Sequence, residues 1–213
     1  MDKFYLRLML VLALICGIAG CTLALVNSYT EPIIAKYKAQ AEIKAYQKAL
    51  PEAERFIDDP ELIKVVKDNP NYKGIQSLKV GLKNGQRIGL VFKVATSGYS
   101  SDIQMLVGIN SDGQLYQVLI LDQQETPGLG SRITDTEFIG QKAIYNSGTK
   151  KLALTKDGGS VQAVTGATIS SRAVVRGINQ ALAAYQSFNN ATNDAAGASD
   201  HNDVDATTGA TTK

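Results

Sequence analysis

The 213-residue chain lacks tryptophan and has a single histidine, His201, which lies among polar residues near the C-terminus. Histidine is the commonest general base at neutral pH and a frequent zinc ligand, so its absence from the body excludes histidine-activated nucleophiles and zinc sites there. No charge of either sign predominates, since 22 lysines and arginines stand against 20 acidic residues. The basic residues are scattered, which argues against nucleic acid as a partner. We therefore expect no metal centre and no nucleic-acid function.

Cysteine and the usual nucleotide-binding motifs are also scarce or missing. The two cysteines, Cys16 and Cys21, both fall within an N-terminal apolar run, and the body has none. A disulfide framework needs cysteines spread over the fold, so none is expected. The sequence contains neither a Gly-x-Gly-x-x-Gly fingerprint nor a P-loop lysine, so a nucleotide would not be held as in a doubly wound fold.

The N-terminal run is uncharged over residues 8–26, after a short flank of residues 1–7. As a helix it would span roughly 28 Å, close to the hydrocarbon thickness of a bilayer. Three interpretations are open: a retained transmembrane anchor, a lipoprotein signal ending in "IAGC" at 18–21, and a cleaved signal peptide. The apolar residues that continue past Cys21 favour the anchor. The short flank places the N-terminus inside and the following domain outside.

A helical stalk is predicted over residues 27–51. Thr30 is a suitable N-cap for a helix that begins at Pro32, the favoured first-turn position, and runs to about Leu50. A second helix is predicted over residues 60–68, whose sequence is "PELIKVVKD".

Residues 75–122 alternate between apolar and polar side chains in a way that predicts an antiparallel meander of four strands. Asn84-Gly85 is a strong hairpin signal, and residues 110–113, "NSDG", form the next turn. A further hairpin is predicted around residues 157–159, "DGG". Between them, Thr134 and Glu137 have the spacing of a capping box and predict a short helix.

The last predicted helix follows residue 171 and belongs to the core. Its apolar residues recur at helical spacing: Val174, Val175, Ile178, Ala181, Leu182 and Tyr185. Beyond Phe188 large apolar residues are almost absent, so residues 189–213 are predicted to be disordered. The body, residues 52–188, is therefore an α+β domain with an antiparallel sheet and packed helices, preceded by one transmembrane helix and a helical stalk.

Two stretches of the body have the composition of binding loops. "TGATISS", 165–171, lies between a strand and a helix, and Thr168 or Ser170 can cap that helix, whose N-terminus suits a phosphate. The alternative is an ordinary capping loop. In "ETPGLGSRI", 125–133, the glycines on either side of Leu129 let the backbone approach a flat ligand closely. Its alternative is a plain strand-to-helix connection with Glu125 as a capping carboxylate.

These two motifs, in this order and behind an apolar N-terminal helix, resemble the FMN-binding domain found in the G subunit of the Rnf electron-transport complex and in the C subunit of the sodium-translocating NADH:quinone reductase. The resemblance covers roughly residues 5–188. It implies FMN joined covalently through its phosphate to Thr168 by a flavin transferase. It also implies further flavin contacts from both loops and from "SGYSSDI", namely Thr165, Gly166, Ala167, Ser170, Glu125, Thr126, Pro127, Gly128, Leu129, Gly130 and Tyr99.

The resemblance further implies an electron-carrying component of an ion-translocating ferredoxin:NAD oxidoreductase, with no complete reaction or catalytic residue of its own. Its partners would be the other subunits, the flavin transferase and the bilayer. It would be a single-pass protein of the bacterial inner membrane, with the flavin domain on the outer, periplasmic side. Two other hypotheses are a stand-alone flavoprotein anchored by lipid at Cys21 and a flavin-free tethered scaffold.

A second Thr-Gly-Ala-Thr occurs in the tail and makes Thr211 an alternative attachment site. That copy has an acidic residue, Asp205, six positions before its last threonine, where the body copy has Gln162. The body copy departs from the family in a second way, because residues 122–124 lack the histidine that often precedes the glycine loop. The tail copy, however, is followed by no helix N-terminus. Thr168 is therefore the predicted site.

Overall fold

The structure of the chain is a computed structural model that describes residues 3–146, 148 and 150–199. The chain divides into two units, with the boundary between Lys44 and Ala45. The second unit contains an antiparallel sheet with helices packed on it. The α+β fold class predicted from the sequence is therefore confirmed.

The first helix, α1, runs over Lys3–Ala49 without interruption, and Pro32 lies inside it. The predicted separate stalk helix, with Thr30 as its N-cap, is therefore wrong. The Thr30 hydroxyl donates instead to the carbonyl of Val26, one turn earlier, at 2.8 Å. The same Thr-x-Pro pattern fits a helix start or a helix interior, because good helix formers lie on both sides of it. Within the described residues, α1 is the helix that is long and apolar enough to cross a membrane.

The sheet has five antiparallel strands in the order β1-β2-β3-β4-β5. They are β1 at Arg55–Asp58, β2 at Ile75–Lys83, β3 at Gln86–Ser97, β4 at Asp102–Asn110 and β5 at Leu115–Asp122. The predicted four-stranded meander is thus confirmed, with both residues of the Asn84-Gly85 turn at positive φ as a tight hairpin requires. β1 is additional: it has four residues and no buried side chain, which leaves no alternation to detect.

One face of the sheet is covered by α5, which begins at Thr168 and ends at Ser199. The six apolar residues predicted for its core face are all buried: Val174, Val175, Ile178, Ala181, Leu182 and Tyr185. Phe188, one turn further on, stacks on Phe92 of β3 with ring centroids 6.4 Å apart. The core therefore lies between β3, β4 and this helix.

The opposite face of the sheet is covered by the last residues of α1 and the turn after it. Tyr46, Ala49 and Leu50 are buried there against Val91 and Leu106 of the sheet. The helix backbone lies so close to β4 that a Cβ on Gly108 would collide with the carbonyl oxygen of Ala49. Residues 45–50 thus belong to the second unit, whereas the sequence assigned them to the stalk.

The hairpin predicted around residues 157–159 is not present as a pair of strands. Thr155–Asp157 forms a 3-10 turn, and the flanking residues Leu154 and Val161 form one isolated bridge. Gly158 has a φ of +82°, which closes the turn in the left-handed region. The Asp-Gly-Gly motif does mark a reversal of the chain direction. The residues on either side of it form hydrogen bonds with one another across the turn, but they do not form two paired strands.

The shorter helices are α2 at Pro60–Asp68, α3 at Thr136–Ile139 and α4 at Lys142–Tyr145. α2 has the predicted bounds, and the Asp59 carboxylate caps it by accepting from the N–H of Glu61 and Leu62. The predicted capping box of Thr134 and Glu137 is wrong, because α3 begins after Asp135. The Thr134 hydroxyl donates instead to the carbonyl of Ser131.

The predicted disordered segment began at residue 189, but α5 continues to Ser199. Once a helix exists, adding residues costs little compared with starting one, so this alanine-containing segment extends it. Asn189 is also held by side-chain contacts, since its amide oxygen accepts from Arg87 at 3.0 Å. The remainder of the predicted tail, residues 200–213, lies outside the described residues.

Candidate functional site

The two loops singled out in the sequence lie next to each other and border one cavity of ≈ 580 Å³. The lining residues are Tyr99, Glu125, Thr126, Leu129, Gly130, Lys156, Gly166, Ala167, Thr168, Ile169 and Ser170. They come from the turn between β3 and β4, the segment after β5, the 3-10 turn of Thr155–Asp157, and the loop that leads into the first turn of α5. Residues distant in sequence therefore share one concave surface, which is how small-molecule sites are commonly built.

The loop of residues 125–130, which we call the glycine loop, is held in a tight turn. The N–H groups of Leu129 and Ser131 both donate to the carbonyl of Thr126, and Gly128 has a φ of +74°. A Cβ on Gly166 would lie 3.2 Å from Leu129 Cδ2, so the glycine loop touches the other loop directly. The side chain of Leu129 remains 48% exposed at the cavity.

Glu125 is buried, and its carboxylate connects three segments of the site. It accepts hydrogen bonds from the N–H groups of Tyr99, Ser100 and Ser101 at 3.0–3.2 Å. It also accepts from the Ser170 hydroxyl at 2.5 Å. Burial by itself would raise the pKa of Glu125, but the Ser170 and backbone hydrogen bonds outweigh it and hold the pKa below its ordinary value. Glu125 is therefore an ionised structural group.

Two glycines make room for this carboxylate. A Cβ on Gly130 would lie 2.8 Å from Glu125 Oε2, and a Cβ on Gly98 would lie 2.5 Å from Oε1. Neither glycine is required here for a left-handed conformation, since neither has a positive φ. The two glycines of "ETPGLG" are thus needed for different reasons. Gly128 adopts a left-handed backbone angle, and a side chain at Gly130 would collide with Glu125.

The loop of residues 165–171, which we call the threonine loop, is fixed by hydrogen bonds around Ser171. The Ser171 hydroxyl accepts from the N–H of Val164 at 3.0 Å and donates to the carbonyl of Ala167 at 2.9 Å. Gly166 has a φ of +78°, which lets the chain turn into α5. The prediction that Thr168 or Ser170 caps the helix is wrong, since both lie within its first turn. The half-buried Thr168 borders the cavity instead.

Sequence reasoning missed Lys156, whose Nζ donates to Thr168 Oγ1 at 3.4 Å. It also missed Ile169, which is 51% exposed at the cavity. Ile169 adjoins Thr168, so a wider motif would have included it. No local signal distinguishes Lys156 from other surface lysines, because only the folded chain brings its turn to the start of α5.

Nine of the residues proposed from the sequence line the cavity: Tyr99, Glu125, Thr126, Leu129, Gly130, Gly166, Ala167, Thr168 and Ser170. Pro127 and Gly128 shape the glycine loop without lining it. Thr165 borders a neighbouring cavity of ≈ 100 Å³, together with Arg132. The alternative attachment site, Thr211, lies outside the described residues.

Gln162 stands where the tail copy of the motif has an acidic residue. Two hydrogen bonds to the Gln141 side chain fix its backbone. Its N–H donates to Gln141 Oε1 and its carbonyl accepts from Gln141 Nε2, both at 2.8 Å. The side chain of Gln162 itself is exposed. The Gln162 side chain therefore takes no part in the two hydrogen bonds that fix this position.

Comparison with known proteins gives a consistent set of matches. The model of the FMN-binding domain family matches residues 98–183, a range that contains every residue lining the cavity. The G subunit of the Na(+)-translocating ferredoxin:NAD(+) oxidoreductase complex of Acetobacterium woodii is 34% identical over 195 residues, 87% of this chain and 94% of that protein. The G subunit of the ion-translocating oxidoreductase complex of Methanosarcina acetivorans is 33% identical over 187 residues, 85% of this chain and 94% of that protein.

Among solved structures, the C subunit of the Na(+)-translocating NADH-quinone reductase of Parabacteroides distasonis is 22% identical. The matched region covers 52% of this chain and 61% of that chain, with a TM-score of 0.41.

Proposed function

Because the chain belongs to the family of G subunits of ion-translocating (Rnf) oxidoreductase complexes, we propose that it is an electron-transfer subunit that holds FMN in the cavity between its two loops, joined through the flavin phosphate to Thr168. The observation that carries the proposal is the position of Thr168. Its hydroxyl lies at the cavity, in the first turn of a long helix and beside an ammonium group.

The residues present fit FMN in size and in chemistry. The cavity of ≈ 580 Å³ falls within the range of about 300–1,000 Å³ that is usual for small-molecule sites. Exposed Tyr99, Leu129 and Ile169 offer apolar surface suited to a flat ring. For the phosphate, Thr168 supplies the hydroxyl, and Lys156 and the helix N-terminus supply positive charge.

Attachment at Thr168 is a phosphoryl transfer. The Thr168 oxygen forms a bond to the phosphorus of the flavin nucleotide, and the hydroxyl proton passes to a base on the transferase. Free FMN has no good leaving group on its phosphate, so the donor must carry that phosphate as an anhydride, as a flavin dinucleotide does. The anhydride P–O bond breaks, and a nucleoside monophosphate leaves.

Bound FMN supplies a carrier that can pass single electrons between partners. The protein binds and orients it, and the covalent link prevents its loss at a membrane surface. The electron donor and acceptor would be other subunits of the complex, so the chain has no complete reaction alone. With α1 as its anchor, we place the chain in the bacterial inner membrane with the second unit on the outer side.

Flavin fluorescence in a denaturing gel tests cofactor, linkage and site together. The full chain, co-expressed with a flavin transferase, should give a fluorescent band, and Thr168→Ala should abolish it. Thr136→Ala is the matched control, since Thr136 is exposed, lies outside both loops and does not line the cavity, and it should keep the band.

Thr211→Ala should also keep the band. A band lost with Thr211→Ala and kept with Thr168→Ala would move the attachment site to the tail. A wild-type chain without any band would contradict the covalent flavin altogether.

A further inference from the structure

We propose that Lys156 positions the flavin phosphate at Thr168. This inference rests on the proposed function, since it assigns a residue to the phosphate end of the same site. Its structural basis is the 3-10 turn of Thr155–Asp157, which lies against the first turn of α5.

The turn is anchored on both sides by buried residues. Leu154 and Val161 are in the core, and the N–H of Thr155 donates to the carbonyl of Val161 at 2.8 Å. The N–H of Gly159 donates back to the carbonyl of Leu154, also at 2.8 Å. A Cβ on Gly159 would collide with the carbonyl oxygen of Ala153, so only glycine fits there. The backbone that carries Lys156 is therefore fixed.

Arg172 joins this turn to α5. Its Nε and one terminal nitrogen donate to the two carboxylate oxygens of Asp157 at 2.8 and 2.7 Å, a paired arrangement that fixes direction as well as distance. Arg172 follows Thr168 by one helical turn, so both lie on the same side of α5. With Asp157 bonded to Arg172, its neighbour Lys156 reaches Thr168 Oγ1 at 3.4 Å.

The charges at the cavity support this role. Among the described residues that line it, Glu125 supplies the carboxylate and Lys156 supplies the ammonium group. The Glu125 carboxylate already accepts from Ser170 and from three backbone N–H groups. The Lys156 ammonium can donate three hydrogen bonds, and among those of the described residues it donates to the neutral Thr168 hydroxyl. It also interacts with the charge of Asp157, but that carboxylate is already bonded to Arg172. A phosphate diester at Thr168 carries one negative charge, which one ammonium group balances.

The experiment measures the rate at which the purified full chain in detergent incorporates flavin from FAD with a flavin transferase at limiting donor. Lys156→Ala should lower the initial rate about tenfold, and Lys156→Arg should restore it to within about threefold of wild type. Lys151→Ala is the matched control, because this exposed lysine precedes the same turn but does not line the cavity. Its rate should equal that of wild type. Added salt should narrow the gap between wild type and Lys156→Ala.

A second readout separates phosphate binding from recognition by the transferase. Complete loading should raise the melting temperature of wild type more than that of Lys156→Ala, because only the wild type gains the ion pair. Melting of the unloaded variants checks that each is folded, which the exposure of Lys156 leads us to expect.

A wild-type rate in Lys156→Ala, equally slow rates in the alanine and arginine variants, or equal gains in melting temperature on loading would each overturn the assignment. Failure of the proposed function gives a different pattern. In that case the wild type would take up no flavin or Thr168→Ala would still incorporate it, whereas failure of the Lys156 assignment alone leaves the wild type labelled and Thr168→Ala unlabelled.

Discussion

At the scale of single residues, Glu125 shows how a carboxylate at a binding site can have a structural role. It bonds to backbone N–H groups on the turn after β3 and to Ser170 in the first turn of α5. Because those bonds favour the ionised form, its pKa is lower in the folded chain than in the unfolded chain. The resulting stability is complete above the ordinary glutamate pKa of about 4.3 and is lost as the pH falls through the lower, folded-state value.

We therefore expect Glu125→Gln to lower the free energy of unfolding by about 2 kcal/mol at neutral pH, the usual order for losing a hydrogen-bonded buried charge. The variant should also lose less stability than wild type as the pH falls below the ordinary glutamate pKa of about 4.3. Denaturant unfolding of the detergent-solubilised chain at several pH values measures both effects.

Glu137→Gln is the matched control for that measurement, because Glu137 is exposed and its pair with Arg132 is a surface one. It should change the free energy of unfolding by less than about 1 kcal/mol. If Glu125→Gln and Glu137→Gln behave alike, the Glu125 carboxylate does not hold the three segments together.

At the scale of elements, alanine substitutions of two glycines, Gly108 in β4 and Gly177 in α5, should have unequal effects on stability. Gly108→Ala would place a Cβ against the backbone of Ala49, which cannot move without lifting the end of α1, so a loss of about 2–3 kcal/mol is expected. Gly177→Ala on α5 would meet the flexible end of Met105 at 2.9 Å and the methyl group of Thr96 at 3.2 Å, side-chain atoms and not backbone, and alanine favours a helix over glycine by up to about 1 kcal/mol. It should therefore cost clearly less than Gly108→Ala.

Thermal unfolding of the two variants beside wild type measures this difference. Equal losses in both would mean that the end of α1 is not packed on β4 as the structure has it.

The elements that could be predicted are those whose signals are local. Asn84-Gly85 and the alternation around it specify the central hairpin, and the spacing from Val174 to Tyr185 specifies the buried face of α5. β1 could not be predicted, because four mostly exposed residues carry no alternation. The continuity of α1 through Pro32 could not be predicted either, because the same Thr-x-Pro pattern fits a helix start and a helix interior.

The residues of the candidate site also divide into those that local sequence signals predict and those that depend on the folded chain. The glycine and threonine loops are visible as motifs because their backbone angles demand glycine at Gly128 and Gly166. Lys156 is not visible, since its place depends on the packing of a turn against a helix that follows it in sequence. Glu125 can be identified from the sequence as a residue of the glycine loop, but its bonds to Ser170 and to the turn after β3 cannot, because these segments meet only in the folded chain.

At the scale of the whole molecule, the boundary between the two units predicts where the chain can be shortened. A fragment of residues 45–213 should be soluble and folded without detergent, because it keeps Tyr46, Ala49 and Leu50 on the sheet. A fragment of residues 52–213 lacks these side chains and exposes Val91 and Leu106. We expect it to be less stable by roughly 4 kcal/mol and to aggregate.

Circular dichroism melting and size-exclusion chromatography of the two fragments compare them directly. A shorter fragment as stable and as monomeric as the longer one would show that residues 45–51 are dispensable to the domain.

The threonine loop also bears on biogenesis. The Ser170 hydroxyl in the first turn of α5 donates to Glu125, 45 residues earlier in the chain, and this bond forms only once the glycine loop and α5 have come together. The acceptor hydroxyl of Thr168 is therefore displayed by a finished domain and not by a nascent chain. Under the proposed function, flavin loading would follow folding. The flavin absorbance of a preparation would then measure the fraction of chains that had folded and received the flavin.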